Sequence, residues 1–277
     1  MTYDLVIIGA GISGLTAALS LAQKGVEQVL IVEHQKQPGG FASLYFDSPE
    51  FAPEREILQR AAALPYEICT ETTIAGFFPG EPHQLYVQSP DGAYMVEAKR
   101  ILIAAGSLEK PREANRIPGT RPAGVMTPML AMHLLERGYL PGRQVVLMEN
   151  GRIAKGAARI LEREIGPITC CSADEWELAM IRGTARLESV QMVHKQDQSV
   201  QEIECDTLVY AKGRIPNTFF LKGTPVLRDH EGSVIIEETG KTNVPHVFAT
   251  GSCTCRGDEH HSNSIDLAHE VAAHLFA

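Results

Sequence analysis

The chain has 277 residues, 44% of them hydrophobic and 21% charged, the proportions of a globular protein with room for two modest domains or one large one. A formal net charge of −9 and the lack of any basic run count against a nucleic-acid groove, which needs clustered Lys and Arg against the phosphates. No run reaches the ~18 apolar residues of a membrane helix, and the apolar amino terminus lacks the basic leader and small-residue cleavage site of a signal peptide.

The first predicted element is the buried strand Val6-Ile7-Ile8, which ends in Gly9-Ala10-Gly11-Ile12-Ser13-Gly14 and leads into a helix over residues 15–24 closed by Gly25. This is the G-x-G-x-x-G turn in the strand-to-helix setting that it requires. In such a turn the first glycine permits the tight bend, the second lets the backbone approach a pyrophosphate, and the third lets helix pack close on strand. The unpaired N–H groups and positive dipole end of the helix favour a phosphate there. A second apolar strand, Val29-Leu30-Ile31-Val32, ends in Glu33, near the roughly 20-residue spacing at which an acid reaches ribose hydroxyls. Strand, turn, helix, strand and acid together point to an adenine dinucleotide; a bare glycine turn with no ligand is the weaker alternative.

Gln37-Pro38-Gly39-Gly40-Phe41 reads as a loop, and residues 54–63 carry helical periodicity. Short strand-like segments follow over residues 67–77 and 84–87, and a turn at Pro90-Asp91-Gly92 makes a hairpin with residues 94–98. Ile101-Leu102-Ile103 is another buried strand, ending in Ala104-Ala105-Gly106. Small side chains at a strand's carboxyl end suit a backbone that runs beside a bound cofactor, since ligands of open α/β sheets lie along that edge.

Residues 111–122 are rich in Pro, Arg and Gly and read as a linker to a second domain, whose first strand is Val145-Val146-Leu147-Met148. A helix over residues 157–165 and a strand over 168–171 repeat the opening layout without its chemistry. Glu149 replaces the first glycine, Ala154 the last, and the second strand ends in Cys171-Ser172 with no acid or arginine for a ribose. A carboxylate and a β-carbon at the turn count against NAD(P)H, so the expectation is a retained scaffold that no longer binds it. A helix-like piece is expected beyond Ala173, followed by a segment over 185–193, a turn-rich stretch over 195–199 and Thr207-Leu208-Val209-Tyr210-Ala211, which closes the domain; then come a hairpin-like stretch at Val234-Ile235-Ile236 and a last helix with Ile265, Ala268, Val271, Ala272 and Leu275 on one face. Met126, Met129, Leu130, Met132 and Leu134 suit either a partner surface or the core side of a helix.

Six cysteines show no C-x-x-C pair and no framework spacing, which fits a reducing cytoplasm. Cys170 and Cys171 are adjacent on a strand, with buried packing as the expectation. Cys253-Thr254-Cys255, with His260 and His261 nearby, admits three readings: a metal site, a thiol pair beside a cofactor, or loop residues, the last being favoured. Its spacing fits no standard zinc finger, so no metal is expected.

The glycine turn with Glu33, the strand end at residues 101–106, Gly213-Arg214-Ile215-Pro216-Asn217-Thr218 and Phe248-Ala249-Thr250-Gly251 together resemble the two-dinucleotide-domain flavoproteins related to pyridine nucleotide-disulfide oxidoreductases. The resemblance spans nearly the whole chain. It implies an α/β fold of two Rossmann-like dinucleotide-binding domains, the second reduced and inserted in the first: residues 1–110 and 223–277 for FAD, residues 111–222 for the degenerate NAD(P)-like domain. It implies FAD on Gly9, Gly11, Ile12, Ser13 and Gly14 at the pyrophosphate, and on Glu33 with His34 at the adenosine ribose. Gly40, Phe41, Ala105, Gly106, Gly251 and Ser252 then lie toward the flavin, whose reduced form the dipole of the last helix, near Ser262-Asn263-Ser264, would stabilise. Two departures stand out. Ser252 replaces the aspartate expected after Gly251, and the redox C-x-x-C of the disulfide reductases is missing.

Residues 117–127 and Gly138-Tyr139-Leu140-Pro141-Gly142 resemble small flavoprotein subunits found with glycerol-3-phosphate dehydrogenase-like, amine or amino-acid dehydrogenase partners. The expected function is an FAD-dependent oxidoreductase subunit that passes electrons between its flavin and a redox centre in a partner protein, as part of a dehydrogenase complex or a homo-oligomer. The catalytic residues are not identified; Cys253 and Cys255 are weak candidates. Two alternatives stay open: a stand-alone NAD(P)H-dependent flavin reductase, and a non-catalytic nucleotide-binding subunit.

Overall fold

The computed structural model of the protein describes residues 2–45 and 47–276. The chain divides into two compact units, one of Met1–Phe46, Phe51–Leu108 and Ile215–Ala277, the other of Asp47–Glu50 and Glu109–Arg214. Among the described residues no helix is long and apolar enough to cross a membrane.

The first unit is built on a five-stranded parallel sheet in the order Val247–Ala249, Ile101–Ile103, Leu5–Ile8, Val29–Val32, Glu67–Cys69. All residues of the first four strands are buried, and a strand covered on both faces reads as an unbroken apolar run. The helix Ile12–Gln23 connects Leu5–Ile8 to Val29–Val32 and packs on the last helix, Ser264–His274, which buries Leu267, Ala268, Val271 and Ala272. Burying each such Leu or Val contributes about 1.5–3 kcal/mol. A second sheet pairs Thr2–Tyr3 with Gly92–Ala98, followed by His83–Ser89 and Thr73–Phe78. In His83–Ser89, buried Leu85 and Val87 alternate with exposed Gln84, Tyr86 and Gln88, the period of a sheet wet on one side. The hairpin-like stretch at Val234-Ile235-Ile236 is not a ladder: Val234 makes single bridges to Arg228 and Thr254.

The second unit has a parallel sheet in the order Val125–Met126, Thr207–Val209, Val145–Glu149, Thr169–Ser172. Its helix Gly151–Ile165 buries Ile153, Ala154, Ala157, Ala158 and Leu161, the stripe of an amphipathic helix. A three-stranded antiparallel sheet joins Trp176–Gly183, Leu187–His194 and Val200–Glu204. Trp176–Gly183 corrects the helix expected beyond Ala173. An irregularity between Leu178 and Met180 breaks the strand's register, so buried Leu178 and Ile181 are three residues apart, the spacing of a helix face. Cys171 is buried as expected, but Cys170 is exposed, since neighbouring side chains of the strand Thr169–Ser172 point to opposite faces.

Candidate nucleotide-binding site

The glycine turn follows Leu5–Ile8 at the carboxyl edge of the parallel sheet. Gly9 has φ +108°, and a β-carbon there would lie 2.4 Å from the Ala104 carbonyl oxygen, so only glycine lets the turn run against the neighbouring strand's end. A β-carbon on Gly14 would meet the Gly9 oxygen at 2.0 Å, which is how closely the helix rests on the turn. Gly11 is different: a β-carbon there would find no atom within 4 Å. Gly11 is the N-cap of Ile12–Gln23, whose first turn carries no acidic residue and no side-chain cap. Open space over Gly11 and N–H groups without a side-chain cap fit the pyrophosphate of a dinucleotide. Across from it the Gly39 N–H donates to the Ala10 carbonyl at 2.8 Å, and Gly40 approaches Gly11 so that an added β-carbon would be 3.3 Å from the Gly11 Cα.

Glu33, only 3% exposed, ends the adjacent strand. Its carboxylate accepts the Ala10 N–H at 2.7 Å and the Gln35 N–H at 2.8 Å, and His34 Nδ1 stands 2.9 Å away. Burial alone pushes the Glu33 carboxyl up, but the His34 hydrogen bond, the two backbone N–H groups and the His34 charge together hold it below the usual range. His34 moves up because it hydrogen-bonds Glu33, against the opposing effect of burial. An ionised carboxylate can still accept several donors on its two oxygens, so Glu33 fits a ribose as well as the turn.

The other wall comes from the carboxyl-terminal segment. Gly251, at φ +76°, lies so close to the first helix that a β-carbon would be 2.3 Å from Ser13 Oγ. Ser13 Oγ in turn donates to the Ser264 carbonyl at 3.3 Å, so the amino-terminal ends of Ile12–Gln23 and Ser264–His274 come together. Buried Ser252 accepts a hydrogen bond from Ser107 Oγ at 3.0 Å. Phe41 stacks against His261 with ring centroids 4.4 Å apart. The structure thus gathers Gly9, Gly11, Ile12, Ser13, Gly14, Glu33, Gly40, Phe41, Gly106, Gly251 and Ser252 along one sheet edge.

Sequence reasoning missed Asp258. Its carboxylate accepts the N–H groups of His260, Ser262 and Asn263 at 2.8–3.0 Å. Burial raises this carboxyl, yet these bonds and the His261 charge bring it below the usual range. An aspartate in a polar loop ahead of an apolar helix was the available signal. Ser107 and the Phe41–His261 contact join residues distant in sequence and had no local signal.

The cysteines at 253 and 255 part company. Cys253 is buried and donates from Sγ to the Thr250 carbonyl at 3.3 Å, whereas Cys255 is exposed. No described cysteine forms a disulfide, and no group of three His, Cys, Asp or Glu among the described residues is placed to hold a metal ion. In the second unit, Glu149 stands at the end of its strand with Lys155 Nζ 4.0 Å away. The following helix starts at Gly151 without a side-chain cap. Glu50, within the same unit, accepts Arg159 Nη2 on its carboxylate and Arg152 Nη2 on its carbonyl, both at 2.7 Å.

The family model described as pyridine nucleotide-disulphide oxidoreductase matches residues 3–148 and 177–274. The chain belongs to that family. It is therefore an oxidoreductase of the flavoprotein kind, FAD-dependent, with nucleotide-binding domains of the Rossmann type. Among curated proteins this oxidoreductase is similar to thioredoxin reductase of Borreliella burgdorferi, 23% identical over 90% of this chain and 83% of that protein. It is also similar to the alpha subunit of sarcosine oxidase from Rhizobium meliloti, 29% identical over 73% of this chain but only 22% of that longer protein. A solved thioredoxin reductase of T. acidophilum superposes with a TM-score of 0.77 at 19% identity, covering 99% of this chain and 97% of that one; at that identity the likeness concerns the fold.

Proposed function

We propose that this oxidoreductase holds FAD on the sheet edge of its first unit and passes electrons between that flavin and a redox centre in a partner protein. The observation that carries this reading is the meeting of two helix ends at Ser13, with Gly251 packed against it and open space over Gly11. Backbone N–H groups of the first helix receive the pyrophosphate, and Glu33 orients the adenosine ribose. The flavin supplies the redox chemistry when bound. Similarity to one subunit of sarcosine oxidase and to one subunit of opine oxidase, both from Rhizobium meliloti, supports a place within a larger complex, such as one serving an amine or amino-acid dehydrogenase. The test is the spectrum of the purified protein, expected to be yellow and to release FAD on denaturation; a colourless protein that takes up no added FAD overturns the reading.

A second reading, a stand-alone NAD(P)H-dependent reductase, draws on the uncapped start of Gly151–Ile165 right after its strand and on the family's pyridine nucleotide chemistry. Glu149 at that turn weighs against it. Anaerobic mixing with NADH or NADPH separates the two, since rapid bleaching of the flavin without a partner favours the second.

A further inference from the structure

His83 opens the strand His83–Ser89 of the antiparallel part of the first unit and is only 3% exposed. Its two ring nitrogens have partners of opposite kind. The Gly80 N–H donates to Nδ1 at 3.2 Å, so Nδ1 bears no proton, and the proton of the neutral ring lies on Nε2, which donates to the Pro245 carbonyl at 3.1 Å. The charged ring cannot keep both bonds, because an Nδ1–H would face the Gly80 N–H. The packing around it is mostly apolar. Phe77 meets the ring edge-on with centroids 5.6 Å apart, and Ala98 stands opposite His83 in the ladder. Burial holds His83 below the ordinary histidine range; the Pro245 bond opposes this shift, the His246 charge adds to it and the Glu81 charge opposes it.

Pro245 belongs to the turn that feeds Val247–Ala249, and that turn is tied to the parallel sheet. The His246 carbonyl accepts the Ile101 N–H at 3.0 Å, and Thr242 Oγ1 donates to the Val247 carbonyl at 2.9 Å. Past its other end, Val247–Ala249 leads to Gly251, which rests on Ser13. His83 therefore fastens one sheet to the strand of the other that reaches the glycine turn. We propose that His83 is an acid-sensitive latch between these two sheets: neutral, it holds the turn ahead of Val247–Ala249, and protonated, it gives up its partners and frees that turn to open. A buried charge without its hydrogen bonds is costly, so the protonated ring leaves its slot for water and the Pro245 bond goes with it. The latch is fully closed above the ordinary histidine value of about 6.5 and opens as pH falls through the lowered one.

The test is hydrogen exchange of the whole protein at pH 7.5 and pH 5, both above the range in which ordinary carboxylates titrate. Rates are expressed as protection factors, which remove the pH dependence of the chemical step itself. Protection over residues 242–250 is expected to fall about tenfold at the lower pH, the equivalent of one lost hydrogen bond, while residues 151–165 of the second unit stay within twofold. His83→Gln keeps a donor for Pro245 and an acceptor for Gly80 but does not titrate, so its protection is expected to be the same at both values. An NMR titration of the His83 ring in unaltered protein needs no variant. Its midpoint is expected below about 6.5 and at the pH where protection falls. Protection of residues 242–250 that stays within twofold overturns the latch, as does a fall shared equally by residues 151–165, a fall that survives in His83→Gln, or a ring that titrates at or above the ordinary value.

Discussion

The carboxylate of Glu33 and the backbone N–H of Ala10 are hydrogen-bonded at 2.7 Å, fully inside the protein. The acid that faces the ribose is thus also the clasp of the glycine turn, and the two tasks are separable. Glu33→Ala strands the buried N–H of Ala10, at a cost of about 1–3 kcal/mol, and is expected to lower the melting temperature of apoprotein and FAD affinity together. Glu33→Gln keeps an oxygen acceptor and is expected to lose less of both. Because the Glu33 carboxyl is lower in the folded state, its stabilisation is complete above the ordinary carboxylate value of about 4.3 and is lost as pH falls through the lowered one. His34 is raised, so its share is complete below about 6.5 and fades as pH rises through the raised value. Urea melts from pH 3 to 8 should show the acid-side slope flattened in Glu33→Gln; an unchanged slope rules the clasp out.

Two glycines of the turn are expected to respond in opposite ways. Gly9→Ala puts a methyl 2.4 Å from the Ala104 carbonyl oxygen at a backbone angle of +108°, which costs about 3 kcal/mol or more through clash and strain. Gly11→Ala has φ −73° and meets no atom within 4 Å, so apoprotein stability changes by about 1 kcal/mol at most. Its methyl enters the space for the pyrophosphate, and FAD affinity is expected to fall at least tenfold. Thermal melts of apoprotein beside FAD titrations read the two effects separately. Unaltered FAD binding by Gly11→Ala would place the ligand elsewhere.

The contrast shows which parts of the site were legible. Residues 4–33 announced themselves because a turn this tight restricts residue type at every step, and the parallel strands because burial on both faces leaves unbroken apolar runs. Trp176–Gly183 misled because an irregular register converts the period of a strand into that of a helix. The Ala10–Glu33 bond was invisible because an acid at that position suggests a ligand and hides a backbone partner. The Ser107–Ser252 pair spans 145 residues, and only the strand order of the sheet reveals that the two ends are neighbours.

The thiols carry an expectation of their own. Burial first, then the Asp206 charge, pushes Cys205 up to about 12. Partial burial with the Glu67 charge takes Cys69 to about 11, and partial burial of the thiol of Cys170, otherwise an exposed residue, with the Glu162 and Glu149 charges does the same there. Thiolate is the reactive form, so iodoacetamide at pH 7.5 should leave Cys205 and buried Cys253 intact in native protein and label exposed Cys170 slowly. Peptide mass spectrometry gives the order of labelling. Alkylated protein is expected to keep its flavin reduction; if alkylation abolishes it, a thiol relay is at work after all.

Asp258 is expected to hold the loop before the last helix. Asp258→Ala leaves three N–H groups without their acceptor and should cost about 1–2 kcal/mol. Its carboxyl is lowered in the folded state, so this stabilisation is present above about 3.9 and lost as pH falls through the lowered value. Hydrogen exchange over residues 258–264 should quicken in Asp258→Ala and hardly change in the rest of the first unit. Uniformly faster exchange instead would mean that the whole unit depends on this aspartate.

The last expectation concerns the second unit. Glu149 is the departure that most opposes a nucleotide there, since Glu149→Gly would turn residues 149–154 into Gly-Asn-Gly-Arg-Ile-Ala, the G-x-G-x-x-A form that accepts a pyrophosphate. The helix behind that turn begins without a side-chain cap, and the variant removes both a charge and a β-carbon from the approach. The unaltered protein is expected to show no NADH or NADPH binding by calorimetry at millimolar ligand, and Glu149→Gly to gain measurable affinity for at least one of them. Replacing an acid at a strand end leaves the buried residues Val145, Val146, Leu147 and Met148 untouched, so the variant should melt near the unaltered protein and the comparison stays clean. Tight binding of either nucleotide by the unaltered protein would show that Glu149 is tolerated at the turn, and would make the stand-alone reductase the better account of this chain.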